Sequence, residues 1–250
     1  MAGHSRWAQI KRKKAKTDAQ RGKLFSKILR EIMVAARQGG PDPKVNMRLK
    51  AAIEAAKDAN MPQENIRRAI QKGTGELPGE AYEEVTYEGF APGGVAVLVR
   101  VLTDNRNRTA PEIRHVFEKH GGTMASAGSV AWMFERKGVI QVDASRIDED
   151  TLLALALEAG ATDMKRSEKV FEITTAPGEM DAVRAALERQ RVPILSAEVT
   201  LVPQSTVRVE GKDAPQVLRL IEALEELDDV QAVYANYDIA DEVIEAISAA

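Results

Sequence analysis

Cysteine is absent from the 250 residues. That absence rules out disulfides, thiolate metal sites and cysteine nucleophiles, and it fits a reducing cytoplasm. No apolar run approaches the roughly 20 residues that cross a bilayer. The chain also opens without the apolar block of a signal peptide, so a cytoplasmic protein is expected. Histidine is scarce. His115 and His120 stand five apart, a spacing that splays them across a helix and spoils a metal pair, and His4 belongs to the opening segment. No Gly-x-x-x-x-Gly-Lys loop occurs, and Gly73-x-Gly75 lacks the third glycine of a dinucleotide loop. Ser126 and Ser129 have no base close in sequence. The expectation is therefore a protein without catalytic residues, metal, cofactor, small-molecule substrate or membrane contact.

Acid is what the first forty residues lack. Eleven Lys and Arg lie there against two acids, Asp18 and Glu31. Over residues 1–73 the count is 18 Lys and Arg against 6 Asp and Glu, a net of +12; residues 74–250 keep 17 against 32, a net of −15. The overall net charge of −3 conceals this segregation, which points to a polyanionic partner. Arg6, Lys11, Arg12, Lys13, Lys14 and Lys16 form a stretch that is basic on every side, with Trp7 and Ile10 as its large apolar residues. From Thr17 to Gln38 the pattern is amphipathic: Leu24, Phe25, Ile28, Leu29 and Ile32 recur at helical spacing. Arg21 belongs to the same basic segment. Lys16, Lys23, Lys27, Arg30 and Arg37 return to one helical face, expected to point away from the apolar stripe as an outward row of cations.

Length favours two or three domains. A second helix is expected from Asn46, a good N-cap, to about Asn60, and a third from Pro62 to Gly73. Beyond the glycine-rich linker the pattern alternates: strands over 82–88, 95–102 and 130–135, with a helix opened by Thr109 and Glu112 in capping-box spacing. Residues 139–202 read β-α-β-β-α-β, the ferredoxin-like plan. The β-α-β of 206–237 lacks a partner of its own and completes the 82–135 piece. The expected fold class is multidomain α+β: an N-terminal three-helix bundle, then two ferredoxin-like modules, one inserted in the other. The expected domains are 1–78, basic and helical; 79–136 plus 204–240, discontinuous; 137–203, inserted; and 241–250, a helical tail.

Three local features carry two readings each. In the loop 104–108, Arg106 and Arg108 with Thr109 precede a helix start, where free N–H groups favour an anion; alternatively Asp104, Asn105 and Asn107 form turns and the arginines pair with surface acids. Trp7 sits among cations and can stack on a base or pack on the bundle. The small-residue stretch 121–128 either enters a partner's crevice or merely joins strands. An RNA-stacking sheet is not indicated, since Lys137-Gly138-Val139-Ile140 carries no aromatic, and Trp132, Phe134 and Phe171 are expected in the core.

The opening Met-Ala-Gly-His-Ser-Arg-Trp-Ala-Gln-Ile-Lys, the stretch Tyr-Glu-Gly-Phe-Ala-Pro-Gly-Gly-Val-Ala at 87–96, Leu-Thr-Asp-Asn-Arg-Asn-Arg-Thr at 102–109, and Lys-His-Gly-Gly at 119–122 followed by Gly-Ser-Val-Ala at 128–131 together resemble the YebC family. The resemblance runs essentially end to end. It implies a three-domain protein that binds nucleic acid without catalysis. It leaves open whether the target is promoter DNA, in transcription regulation, or rRNA and the ribosome, in translation, including relief of stalls at proline runs. The expected grip is the phosphate backbone, through Arg6, Trp7, Lys11, Arg12, Lys13, Lys14, Lys16, Arg21, Lys23, Lys27, Arg30 and Arg37. No recognition helix with base-reading chemistry is evident, which favours structured RNA over one operator. A protein-binding scaffold is the third class.

Overall fold

The structure, a computed structural model, describes residues 18–167 and 169–249. Three helices come first: α1 (Asp18–Gly39), α2 (Met47–Asp58) and α3 (Gln63–Thr74). Asn46 caps α2 as its sequence predicts, its side chain accepting from Leu49 N at 3.0 Å. Ile32, Leu49, Ala52, Ala56, Ile66 and Ala69 form the shared core of these helices. Gly75, not Gly73, ends α3, in a left-handed conformation (φ 83°) that spares a side chain's steric cost.

The second unit begins with a hairpin, β1 (Glu83–Ala91) and β2 (Val95–Thr103), followed by α4 (Arg106–Lys119) and β3 (Thr123–Ala125). After the inserted unit it resumes with β8 (Val207–Arg208), α7 (Asp213–Glu226), β9 (Val230–Ala235) and β10 (Tyr237–Asp238), and closes with α8 (Asp241–Ala249). The antiparallel sheet has the order β3-β1-β2-β9, so strands about 130 residues apart in sequence are neighbours (Val99 opposite Val233). Val95, Val97, Val99 and Val101 point from β2 into a core closed by Ile113 and Phe117 of α4 and by Val217, Leu220, Ile221 and Leu224 of α7. β8 and β10 form a separate two-stranded parallel ribbon.

The inserted unit is β4 (Phe134–Asp143), α5 (Glu149–Glu158), β5 (Asp163–Ser167), β6 (Val170–Thr175), α6 (Met180–Arg189) and β7 (Ile194–Pro203). Its sheet order, β5-β6-β4-β7 with every neighbour antiparallel, is the ferredoxin-like one. The expected class is thus what the chain adopts, α+β with one module inside the other. On the central strand β4, Gly138 lets α6 approach: an added Cβ would sit 2.6 Å from Met180 Cβ and collide with the Thr175 hydroxyl. Gly138→Ala is expected to cost about 2 kcal/mol through overpacking, measurable as a lowered thermal midpoint.

Two expected elements are displaced. The strand placed at 130–135 is a 3₁₀ turn (Ala131–Met133) running into β4, and the sheet's outer strand is instead β3, inside the stretch read as a small-residue loop. Helix α4 starts three residues earlier than its supposed capping box. Asn105 is the N-cap, accepting from Arg108 N at 3.2 Å, and Thr109 lies within the helix.

Candidate nucleic-acid interface

Arg6, Trp7, Lys11, Arg12, Lys13, Lys14 and Lys16 lie outside the described residues. Of the others, Arg21 and Arg37 are exposed on α1. Lys23, Lys27 and Arg30 do not form the outward row expected of them. Lys23 Nζ donates to Glu226 O at 3.3 Å, Lys27 Nζ to Glu225 O at 2.6 Å, and Arg30 to Asp228 O. Arg30 also lies 3.6 Å from Asp229 and 5.5 Å from the Tyr82 ring centroid.

The reason is visible at the other end of the contact. Helix α7 finishes with carbonyls that have no partner within the helix, at the negative end of its dipole, and its last turn holds no basic residue. Glu225, Glu226, Asp228 and Asp229 add carboxylates to that end. Three cations some 200 residues away in sequence supply what α7 lacks, so part of the basic face holds the helical unit to the sheet unit. The acidic run at a helix end without its own cation is a readable signal for this docking.

A second set of charges ties the same units. Arg48 Nε meets Glu31 at 2.7 Å and its Nη1 meets Glu84 at 2.9 Å, while Arg100 Nη1 lies 3.1 Å from both Glu31 and Glu84. Burial works against the Glu84 charge, but Arg48 and Arg100 outweigh it and hold that carboxyl below the usual range.

The anion expected beside Arg106 and Arg108 comes from the chain itself. The Asp229 carboxylate accepts from Arg108 Nη2 and from Thr109 Oγ1, each at 2.7 Å, at the first turn of α4. Arg108 also reaches Asp104 at 2.9 Å and Arg106 pairs with Glu83 at 2.8 Å. Thr109 is 1 % exposed, so no outside ligand reaches its hydroxyl. The geometry matches the arginine–acid pairing of the second reading for Glu83 and Asp104, but Asn107 lies within α4 and not in a turn, and the further acid on Arg108, Asp229, is buried and not a surface one.

Two features escape a reading of the sequence. Glu88, 5 % exposed, accepts backbone N–H groups from Gly128 (2.6 Å), Val130 (2.6 Å) and Ala131 (2.9 Å), and so fixes the end of the 121–131 stretch. Trp132, expected in the core, is 66 % exposed, because the 3₁₀ turn points it outward and its indole N–H donates to Ser129 O at 3.1 Å. Phe134 and Phe171 are buried. Among the described residues no group of three or more His, Asp or Glu is placed to hold a metal, and no helix is long and apolar enough to cross a membrane.

Comparison with known proteins matches the two portions of the chain separately. A profile described as the TACO1/YebC protein N-terminal domain covers residues 5–76, and one described as the TACO1/YebC second and third domain covers residues 82–237. The chain belongs to the TACO1/YebC family. A relative from Pelotomaculum thermopropionicum, named "Probable transcriptional regulatory protein", is 62% identical over 243 residues, spanning 96% of this chain and 100% of that one. Another with the same name, from Aquifex aeolicus, is 57% identical over 248 residues, 99% of this chain and 100% of that one. The crystal structure of a conserved hypothetical protein from Aquifex aeolicus superposes with a TM-score of 0.80 at 57% identity, over 90% of this chain and 93% of that one. Family membership therefore rests on the whole chain, and the two curated TACO1/YebC relatives carry the name of probable transcriptional regulators.

Proposed function

We propose that this TACO1/YebC protein is a non-enzymatic, cytoplasmic, nucleic-acid-binding regulator of gene expression that grips phosphates through its N-terminal cations and works on the ribosome. The observation that carries the reading is the charge segregation, +12 over residues 1–73 against −15 over the rest. Even with Lys23, Lys27 and Arg30 engaged by α7, exposed Arg21, Arg37, Lys44, Lys57 and Lys72 meet no carboxylate among the described residues. The basic stretch Arg6–Lys16 adds six more cations. Phosphate contacts of this kind give affinity rather than sequence choice. Promoter DNA is the second reading, favoured by the regulatory names of the relatives.

Two charge-neutralised proteins test the proposal against duplex RNA and DNA. Changing Lys11, Arg12, Lys13, Lys14 and Lys16 to glutamine is expected to flatten the salt dependence of binding by up to about 0.9 for each phosphate no longer neutralised. Changing Lys23, Lys27 and Arg30 is expected to flatten it far less, because α7 holds those cations. An unchanged slope in the first protein overturns the proposed grip. Salt-sensitive comigration with ribosomal particles in a sucrose gradient favours translation; promoter binding without comigration favours the DNA reading.

A further inference from the structure

A groove of about 510 Å³ opens where the last turns of α1 and α3 meet the linker 75–82. Arg37 lines it from α1 and Lys72 from α3. Both are exposed, and neither has a carboxylate partner among the described residues. A Cβ added to Gly79 would lie 3.0, 3.3 and 3.4 Å from Lys72 Cβ, Cγ and Cδ, so the linker backbone runs along the alkyl stem of this exposed lysine. Leu77 and Pro78 supply an apolar wall. Glu80 is the acid of the lining, and its carboxylate accepts from the Tyr82 hydroxyl.

The charge balance selects the ligand. Two cations against one carboxylate leave a net of +1, and the negative ends of α1 and α3 lie nearby. A phosphate dianion is disfavoured by Glu80 and those helix ends, whereas a phosphodiester carries a single charge. The volume falls in the range of about 300–1,000 Å³ that holds small ligands, enough for a nucleotide unit. We propose that the groove binds one phosphodiester of a single-stranded nucleic acid between Arg37 and Lys72, with the adjoining sugar against Leu77 and Pro78. This deepens the nucleic-acid reading above, and rests on it, by giving the strand a fixed path across the helical unit.

The test uses the full chain and a short fluorescein-labelled oligouridylate, with anisotropy followed across a potassium chloride series. Arg37→Gln with Lys72→Gln is expected to reduce the slope of log affinity against log salt by about 0.7, the contribution of the one phosphate no longer neutralised on a single strand, and to weaken binding about fourfold at physiological salt. Both side chains are exposed, so the thermal midpoint should stay at its original value. The charge-preserving pair Arg37→Lys with Lys72→Arg should keep the original slope. A wild-type slope in the glutamine pair, or an equal loss in the charge-preserving pair, overturns this site while leaving the wider nucleic-acid reading intact. Failure of the unaltered protein to bind any oligonucleotide overturns both.

Discussion

Replacing Glu88 with alanine is expected to lower stability by about 3 kcal/mol, seen as a shift of the urea midpoint at unchanged slope. The magnitude follows from the number of donors stranded. Three backbone N–H groups, those of Gly128, Val130 and Ala131, aim at this one carboxylate from a stretch where Val130 is fully buried. Hydrogen bonds to a charged acceptor are each worth more than neutral ones, and a buried N–H without a partner carries its own penalty. The loss should depend on pH. Burial opposes the Glu88 charge, but the N–H groups of Val130, Gly128 and Ala131 outweigh it, and its carboxyl titrates below the ordinary glutamate value of 4.5. A group with a depressed folded pKa stabilises fully above its unfolded value, and that stabilisation fades as pH falls through the folded value. The gap between wild type and Glu88→Ala should therefore be complete at neutral pH and shrink as pH falls below the ordinary glutamate value of 4.5. Amide exchange should quicken first at Gly128, Val130 and Ala131.

Asp229→Ala is expected to cost a similar amount, about 2–3 kcal/mol, in thermal or urea unfolding. Its carboxylate is nearly buried and serves Arg108 and Thr109 at 2.7 Å each and Arg30 at 3.6 Å. Removing one partner of a fully buried pair costs about 3–5 kcal/mol; Arg108 remains 44% exposed and can be hydrated, so the expected loss falls below that range. A double-mutant cycle with Arg108→Ala should show coupling above about 0.5 kcal/mol. By contrast Arg106→Ala breaks only an exposed pair with Glu83 and should change stability by less than about 1 kcal/mol. Equal losses for Asp229→Ala and Arg106→Ala would show that Asp229 is not the joint described here.

The elements that can be read from sequence are those whose signals are local. Asn46 announces α2 through its cap, and the β-α-β-β-α-β rhythm of 139–202 follows from alternating and helical apolar spacing within the segment itself. The return of β9 to β2 can be inferred because an unpartnered β-α-β cannot bury its own core. Three-residue β3 cannot be seen, since Thr123–Ala125 is too short for alternation to register and is a strand only because β1 pairs with it. Asn105 and Thr109 both suit a helix start, and Asn105 takes the role because Asp229, more than a hundred residues later, draws Thr109 inward. The cations of α1 do share a helical face, but what the face meets is decided by the C-terminal end of α7, which no local pattern on α1 reveals. Trp132 defies its expected burial for a related reason: burial of an aromatic depends on turn direction, not on composition.

The inserted ferredoxin-like unit leaves and rejoins its host side by side. Phe134 is paired with Pro203, and Gln204 N donates to Met133 O at 2.8 Å. Two chain ends this close can be joined by a turn at little entropic cost. A lineage could thus gain or shed the whole cassette in a single recombination without re-threading the host sheet, needing to re-cover the apolar footprint of Ala96, Leu98, Val130 and Tyr234 that it packs against.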